Sequence, residues 1–298
     1  MKTLRRSTIV WVQGLTCNGN SQSFFNYPSM DSFSKSFKIL HHPQMETPYS
    51  IDEILSKNLQ VDFLIVEGAF SKNPEILSRF GYSFKELINK LSAKARHIIC
   101  AGSCASYGGI FRLQDENQIF GALFSGKSNG GFWKNNHKVV NISGCPMHPR
   151  WFVETILKLH FKKRVSLDEF RRPKEIYSYL VHQGCLRNEY FEWKVDCKDY
   201  GQKEGCLFYE HGCQGPMTHA NCNKILWNSV SSKTRVGSSC LGCTEFDFPK
   251  KALYETTKHM SLPAAPYGVS RRAYYALAGV AKGFKIERLE KRLIDEDN

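Results

Sequence analysis

The sequence has no apolar run near the roughly 20 residues that a membrane-spanning helix needs, so no membrane span of its own is expected. It has neither a G-x-G-x-x-G nor a P-loop pattern, even in the glycine-rich stretch "AGSCASYGG", which argues against a phosphate cradle. Acid is scarce: 41 lysines and arginines face 28 aspartates and glutamates, a formal net charge of +13. Such an excess invites a nucleic-acid reading. The bases, however, are scattered through "KKR" (162–164), "RRPK" (171–174) and "EKRL" (290–293), with no zinc-finger, RNA-recognition or helix-turn-helix signature beside them. No nucleic-acid partner is expected; a solvated basic surface or an acidic protein partner fits better. A second C-x-x-C is also missing. Only Cys240–Cys243 has that spacing, whereas a four-cysteine zinc site typically has two such pairs.

The chain does have length and cysteine. Its 298 residues, 42% of them hydrophobic, suffice for one large domain or two modest ones. The apolar part of "MKTLRRSTIVWVQGL" reads as a first strand rather than a signal segment, so a cytoplasmic location is expected. Eleven cysteines, an odd number, in a cytoplasmic setting argue for metal ligation or redox chemistry rather than disulfides. Four of them (Cys17, Cys100, Cys104, Cys145) lie far apart in the first half. The other seven crowd into the 59 residues from Cys185 to Cys243.

The two halves follow different patterns. Through residue 160, strand-length runs ("STIVWV", "FKIL", "VDFLIVEG", "RHIICAG", "KVVNISG") alternate with amphipathic stretches such as "FKELINKLSAKA" and "WFVETILKLH". That rhythm predicts an α/β fold with a parallel sheet, whose ligands sit beyond the carboxyl ends of the strands. Cys17, Glu67, Cys104 and Cys145 each fall at or just after such an end. From 161 to 262 the periodicity is lost, and metal binding could supply folding energy that regular structure does not. Helical patterns return in "SRRAYYALAGVAKGF" and "IERLEKRLID". The expected division is therefore 1–160 and 161–298. On spacing, the clustered cysteines could hold iron–sulfur clusters, hold zinc, or remain free thiols.

Seven motifs in order, "LTCNGNSQSF", "VEGAF", "AGSCASYGGI", "NISGCPMHPRWFVETI", "HQGC", "GCQGPMTHANCNKILWN" and "CLGCTEFDFP", span nearly the whole chain. Together they resemble the small, electron-transferring subunit of nickel–iron hydrogenases. The tail "PAAPYGVSRRAYYALAGVAKGFKIERL", with no twin-arginine leader or membrane anchor read, looks most like the cytoplasmic uptake-type or hydrogen-sensing branch. The resemblance implies a flavodoxin-like domain with a proximal 4Fe–4S cluster, followed by an irregular cysteine-rich iron–sulfur domain with medial and distal clusters and C-terminal helices.

Carried over by position, the proximal ligands would be Cys17, Cys104 and Cys145, with Asn20 where the family usually has cysteine. The distal 4Fe–4S cluster would use His182, Cys185, Cys206 and Cys213, with a bulged loop at 207–212. The medial cluster would use Cys222, Cys240 and Cys243. With no fourth cysteine between 222 and 240, it reads as 3Fe–4S unless Ser231 or Ser232 lends an oxygen. Glu67 would move protons near the subunit interface or anchor that interface by charge. Cys100 reads as a buried small hydrophobe and Cys197 as a free thiol. His211 and His219 read as donors to sulfur or backbone. The implied partners are a hydrogenase large subunit, which would bear the nickel–iron site, and an electron acceptor near His182. A regulator, that is, a hydrogen sensor or accessory protein without turnover, is the rival reading, and Asn20 gives it weight.

Overall fold

Runs rich in Val, Ile and Phe form the centre of the molecule, a five-stranded sheet in a computed structural model. It describes residues 5–250 except 137 and, beyond 250, only Ser270, Arg272, Ala273 and Ala276. The strands are β1 (Ser7–Gln13), β2 (Phe37–His41), β3 (Val61–Glu67), β4 (Ala95–Ala101) and β5 (Val139–Ile142). Every pairing is parallel, in the spatial order β2-β1-β3-β4-β5. This is the flavodoxin-like order, which puts a switch point between β1 and β3. All five strand expectations hold.

The period-two alternation of the strands sorts their side chains onto two faces. Val10, Val12, Leu64, Val66, Ile98 and Cys100 point to one face and pack on α3 (Ile51–Ser56) and α4 (Phe84–Lys94). Ile9, Trp11, Phe63, Ile65 and Ile99 point to the other and meet Phe24 of α1 (Gly19–Phe25) and Trp151, Phe152 and Ile156 of α7 (Pro149–His160). Local signals agree with these helices. Ser50 and Glu53 form a capping box on α3, Ser83 caps α4, and the His148 side chain accepts the Arg150 amide ahead of Pro149 on α7. Each fully buried Leu, Ile or Phe stabilises by about 1.5–3 kcal/mol, so the sheet and its helices form a core without help from metal. The remaining helices of this part are α2 (Met30–Ser36), α5 (Gly102–Tyr107) and α6 (Gly109–Arg112).

Residues 161–250 contain only α8 (Lys174–Tyr177), α9 (Asn188–Trp193) and two single 3₁₀ turns among their described helices. The loss of periodicity was a true signal, but it did not show where the apolar residues go. Ile176, Tyr177, Val181, Leu207 and Ala220 join the Trp151 side of the sheet core, while Tyr190, Cys206 and Phe208 make a small cluster of their own. The expected C-terminal helices lie almost wholly outside the described residues.

Buried polar contacts bolt the start of this segment to its end. The Arg172 guanidinium, 4% exposed, bonds Asp168 at 2.8 Å and the Thr244 carbonyl at 3.1 Å, and lies 3.6 Å from Glu245. Glu245 in turn accepts the His219 amide at 2.6 Å. Removing one partner of such a buried pair costs about 3–5 kcal/mol, because the other charges stay buried and uncompensated. Arg172→Met is therefore expected to lower the thermal transition of the purified protein by on the order of 10 °C. A scan in which the variant melts with the wild type would show that the bolt carries no load.

Candidate metal centres

The carboxyl edge of the sheet gathers the first group. Glu67 is the last residue of β3 and is fully buried. Its carboxylate accepts six hydrogen bonds within 3.2 Å: from Trp11 Nε1, Gln13 Nε2, Thr16 Oγ1, Ser21 Oγ, and the Asn20 and Ser21 amides. The loop that follows β1 and carries Cys17 is thereby tied to the neighbouring strand. Cys104 sits in α5, which starts directly after β4, and Cys145 follows β5. The thiols of Cys17, Cys104 and Cys145 are within electrostatic reach of one another. Burial first, then these neighbours, pushes Cys104 up to about 11 and Cys145 up to about 12. Cys17 and Cys145 nonetheless reach the surface as residues, so this group lies at the edge of the chain.

Asn20 lies beside this group. Its Oδ1 accepts the Met147 amide at 2.9 Å, bracing the start of α1 against the loop of Cys145. A Cβ at Gly102 would come within 2.4 Å of the Asn20 amide, so only glycine fits there. Likewise a Cβ at Gly109 would stand 2.6 Å from the Cys104 sulfur. Gly102 thus leaves room for the Asn20 side chain and Gly109 for the Cys104 sulfur.

The second group lines a cavity of about 600 Å³ that includes Cys222, Cys240, Cys243, Ser231 and Ser232 in its wall. Cys145 reaches the same cavity from the first group. The Ser232 hydroxyl is engaged with Asn223 Oδ1. The third group lines a narrow space of about 20 Å³, bordered by His182, Cys185, Cys206 and Cys213 together. His182 is 5% exposed, burial holds its imidazole down at about 4, and its Nε2 has no hydrogen-bond partner. A neutral, buried ring nitrogen without a partner has the character of a ligand. Amides of Arg187, Phe208 and Cys240 donate to the sulfurs of Cys185, Cys206 and Cys213 at 3.3–3.4 Å. The loop before Cys213 closes through its own amide, which donates to the Leu207 carbonyl at 3.0 Å.

The residues fit polynuclear clusters better than single ions. Among the described residues, no three His, Cys or carboxylate side chains converge on one ion-sized point. A tetrahedral zinc site needs its donors within about 2.3 Å of a single centre. Here the sulfurs instead surround shared space, and ionising several buried thiols so close together needs a cationic group among them.

The remaining sulfurs and histidines sort themselves out. Cys100 is buried in β4 as a small hydrophobe, and the Cys197 thiol donates to the Asp199 carbonyl at 2.9 Å. His211 bonds the Cys197 carbonyl at 2.9 Å, as expected of a backbone partner, whereas His219 turns to Glu245 rather than to sulfur. Sequence reasoning missed two serines. The Ser103 hydroxyl donates to the Cys243 carbonyl and accepts the Gly144 amide, and the Ser143 hydroxyl donates to the Thr244 carbonyl at 2.8 Å. Both stand within two residues of a cysteine already singled out, which was the only available signal.

Comparison with known proteins agrees with this architecture. Residues 177–255 match the C-terminal family of the "NiFe/NiFeSe hydrogenase small subunit", and residues 17–159 match "NADH ubiquinone oxidoreductase, 20 Kd subunit". The chain is 36% identical over 171 residues to the periplasmic [NiFe] hydrogenase small subunit of Solidesulfovibrio fructosivorans, an alignment covering 56% of this chain and 52% of that one. It is 30% identical to the periplasmic [NiFeSe] hydrogenase small subunit of Desulfomicrobium baculatum, covering 82% of this chain and 85% of that one. Its structure resembles that of the actinobacterial-type NiFe-hydrogenase from Ralstonia eutropha H16, with a TM-score of 0.70 and 25% identity over 98% of this chain and 92% of that one. Given this likeness across both halves, the chain belongs to the small-subunit family of nickel–iron hydrogenases.

Proposed function

We propose that this chain relays electrons from hydrogen oxidation on a partner large subunit through three iron–sulfur clusters, one for each group of sulfurs. The chain is thus an enzyme only as half of a heterodimer. Bound clusters would supply one-electron storage at spaced points. The protein holds and positions them. Cys17, Cys104 and Cys145 would hold the proximal 4Fe–4S cluster, Cys222, Cys240 and Cys243 a medial 3Fe–4S cluster, and His182, Cys185, Cys206 and Cys213 the distal 4Fe–4S cluster. In this reading residues 1–160 are the flavodoxin-like domain and 161–298 the iron–sulfur domain, and electrons leave to an acceptor near His182. The single observation that carries the reading is the orphaned, buried Nε2 of His182 among the same three cysteines that the motifs pair with it.

Glu67 acts here as an anchor. Any proton it moved would have to share oxygens that already receive six donors. Cytoplasmic placement is part of the proposal. All eleven cysteines are free, which suits a reducing compartment, while the two relatives named above are periplasmic. Among the described residues no helix is long and apolar enough to cross a membrane.

Anaerobically purified protein is expected to carry roughly eleven irons, from two cubanes and one cluster lacking a corner, with matching acid-labile sulfide. Stoichiometric zinc with little sulfide in the same analysis would overturn the proposal. His182→Ala should deplete distal iron or block electron exit to an added acceptor while the two proteins still purify together. Dissociation of the heterodimer would show that the exit has been misplaced.

Asn20 gives weight to the rival reading, a regulator that has lost turnover. Its carbonyl oxygen has a second lone pair, so it can accept the Met147 amide and still face iron. If it does, Asn20→Cys adds a negative ligand and should lower the proximal potential. A shift of about 60 mV would correspond to a tenfold change in the redox equilibrium for one electron. The check is a redox titration of the proximal signal in both proteins. An unmoved or raised potential would assign Asn20 to bracing only. Hydrogen-dependent dye reduction by the heterodimer separates enzyme from sensor.

A further inference from the structure

The cavity of about 600 Å³ at Cys222, Cys240 and Cys243 is walled mainly by neutral and apolar groups, among them Trp151, Trp227, Val230 and Leu241. Apart from the cysteines, Lys233 is the one ionisable side chain among the described residues that line it. Its position is held from both sides. Ser232 and Thr234, its two neighbours, are buried and both donate to Asn223 Oδ1, while Arg187 Nε grips the Thr234 carbonyl at 2.8 Å. The Ser238 amide closes the turn onto the Lys233 carbonyl at 2.9 Å. The backbone is therefore fixed at the cavity wall, and the side chain remains exposed. Among the described residues no carboxylate forms an ion pair with it.

Lys233 shares this wall with cysteines of two neighbouring groups. They are Cys145 of the first group and Cys222, Cys240 and Cys243 of the second. Lys233 does not border the narrow space of the third group. The charge therefore lies on the boundary between the first and second groups, away from the third.

We propose that Lys233 is the counter-charge at the junction of the proximal and medial sites, a positioning residue for the electron rather than for an atom. The inference rests on the cluster reading above. Each reduction adds one negative charge, and a cation held near the sulfurs favours the reduced form. Lys233 thus raises the potential of the medial site, with a smaller effect on the proximal one, and so favours the step between them. A surface lysine with a purely structural role would leave both potentials alone.

The test is a redox titration, followed by electron paramagnetic resonance, of the purified heterodimer in wild type, Lys233→Gln, Lys233→Arg and Lys233→Glu. Iron and sulfide are measured first. Their absence would sink the cluster reading itself, independently of Lys233. With clusters present, Lys233→Gln should lower the medial midpoint and reduce its reduced-to-oxidised ratio several-fold at a fixed ambient potential. A tenfold change would equal about 59 mV for one electron. Lys233→Arg should keep the wild-type value, Lys233→Glu should go further down than Gln, and the distal midpoint should stay put. Equal medial midpoints in Gln and wild type, or a distal shift as large as the medial one, would overturn the proposal.

Discussion

The buried carboxylate of Glu67 is the contact on which the rest of the edge depends. A parallel sheet delivers its strand ends to one side, but it does not by itself hold the loops that follow. Glu67 accepts from Trp11 and Gln13 on β1, from Thr16 in the loop, and from the first turn of α1. One side chain thus sets the path of the chain on both sides of Cys17. The geometry needs an acceptor with two oxygens and several lone pairs, because each stranded buried donor would cost about 1–3 kcal/mol. Asn20 continues the same tie to the loop of Cys145, through Met147. The three cysteines of this edge come from three separate crossovers, and these two polar residues bring two of those crossovers into register.

Much of this was legible in the sequence, for reasons that separate cleanly. The strands could be read because β-branched runs such as "VDFLIVEG" have a local cause, and the sheet order then followed from connection rules. The cysteines were grouped only through the family resemblance, whose motifs recur in a fixed order. Tertiary ties could not be read. "AGSCASYGG" gives α5, a glycine pivot and α6 only because Gly108 and Gly109 adopt φ of +94° and +52°, and nothing local demands that. Ser103 and Ser143 look like spacers beside cysteines until the loop of Cys243 folds onto them. The apolar residues of 161–250 showed no period because few of them share an element, and they go to different places, some over Trp151, some into the cluster of Tyr190 and Phe208, and Phe170 to the other face of the sheet.

Those ties also explain how a segment with little regular structure can position metal ligands. Residues 161–250 borrow the core of the sheet on one side and its carboxyl edge on the other. Arg172, Ser103 and Ser143 all act on the carbonyls of Cys243 and Thr244, so the segment is pinned just where its C-x-x-C ends. Rigidity is concentrated where ligand geometry matters, and the loops between can stay irregular.

The same pinning orders the three groups in series. Cys145, from the first group, and Cys243, in the second, line one cavity. The Cys240 amide, from the second, donates to the sulfur of Cys213 in the third at 3.3 Å. The second and third groups are thus joined by an amide of one cysteine on a sulfur of another, and the first and second share a cavity wall. An N–H aimed at a cluster sulfur stabilises added negative charge there, and a short bonded bridge is the most direct route between the sites it joins. The family resemblance could suggest three groups of cysteines, but it could not show that the groups touch. Contact follows from the loop of Cys240 and Cys243 lying between the sheet edge and the loop of Cys213, so that one C-x-x-C reaches a neighbour at each end.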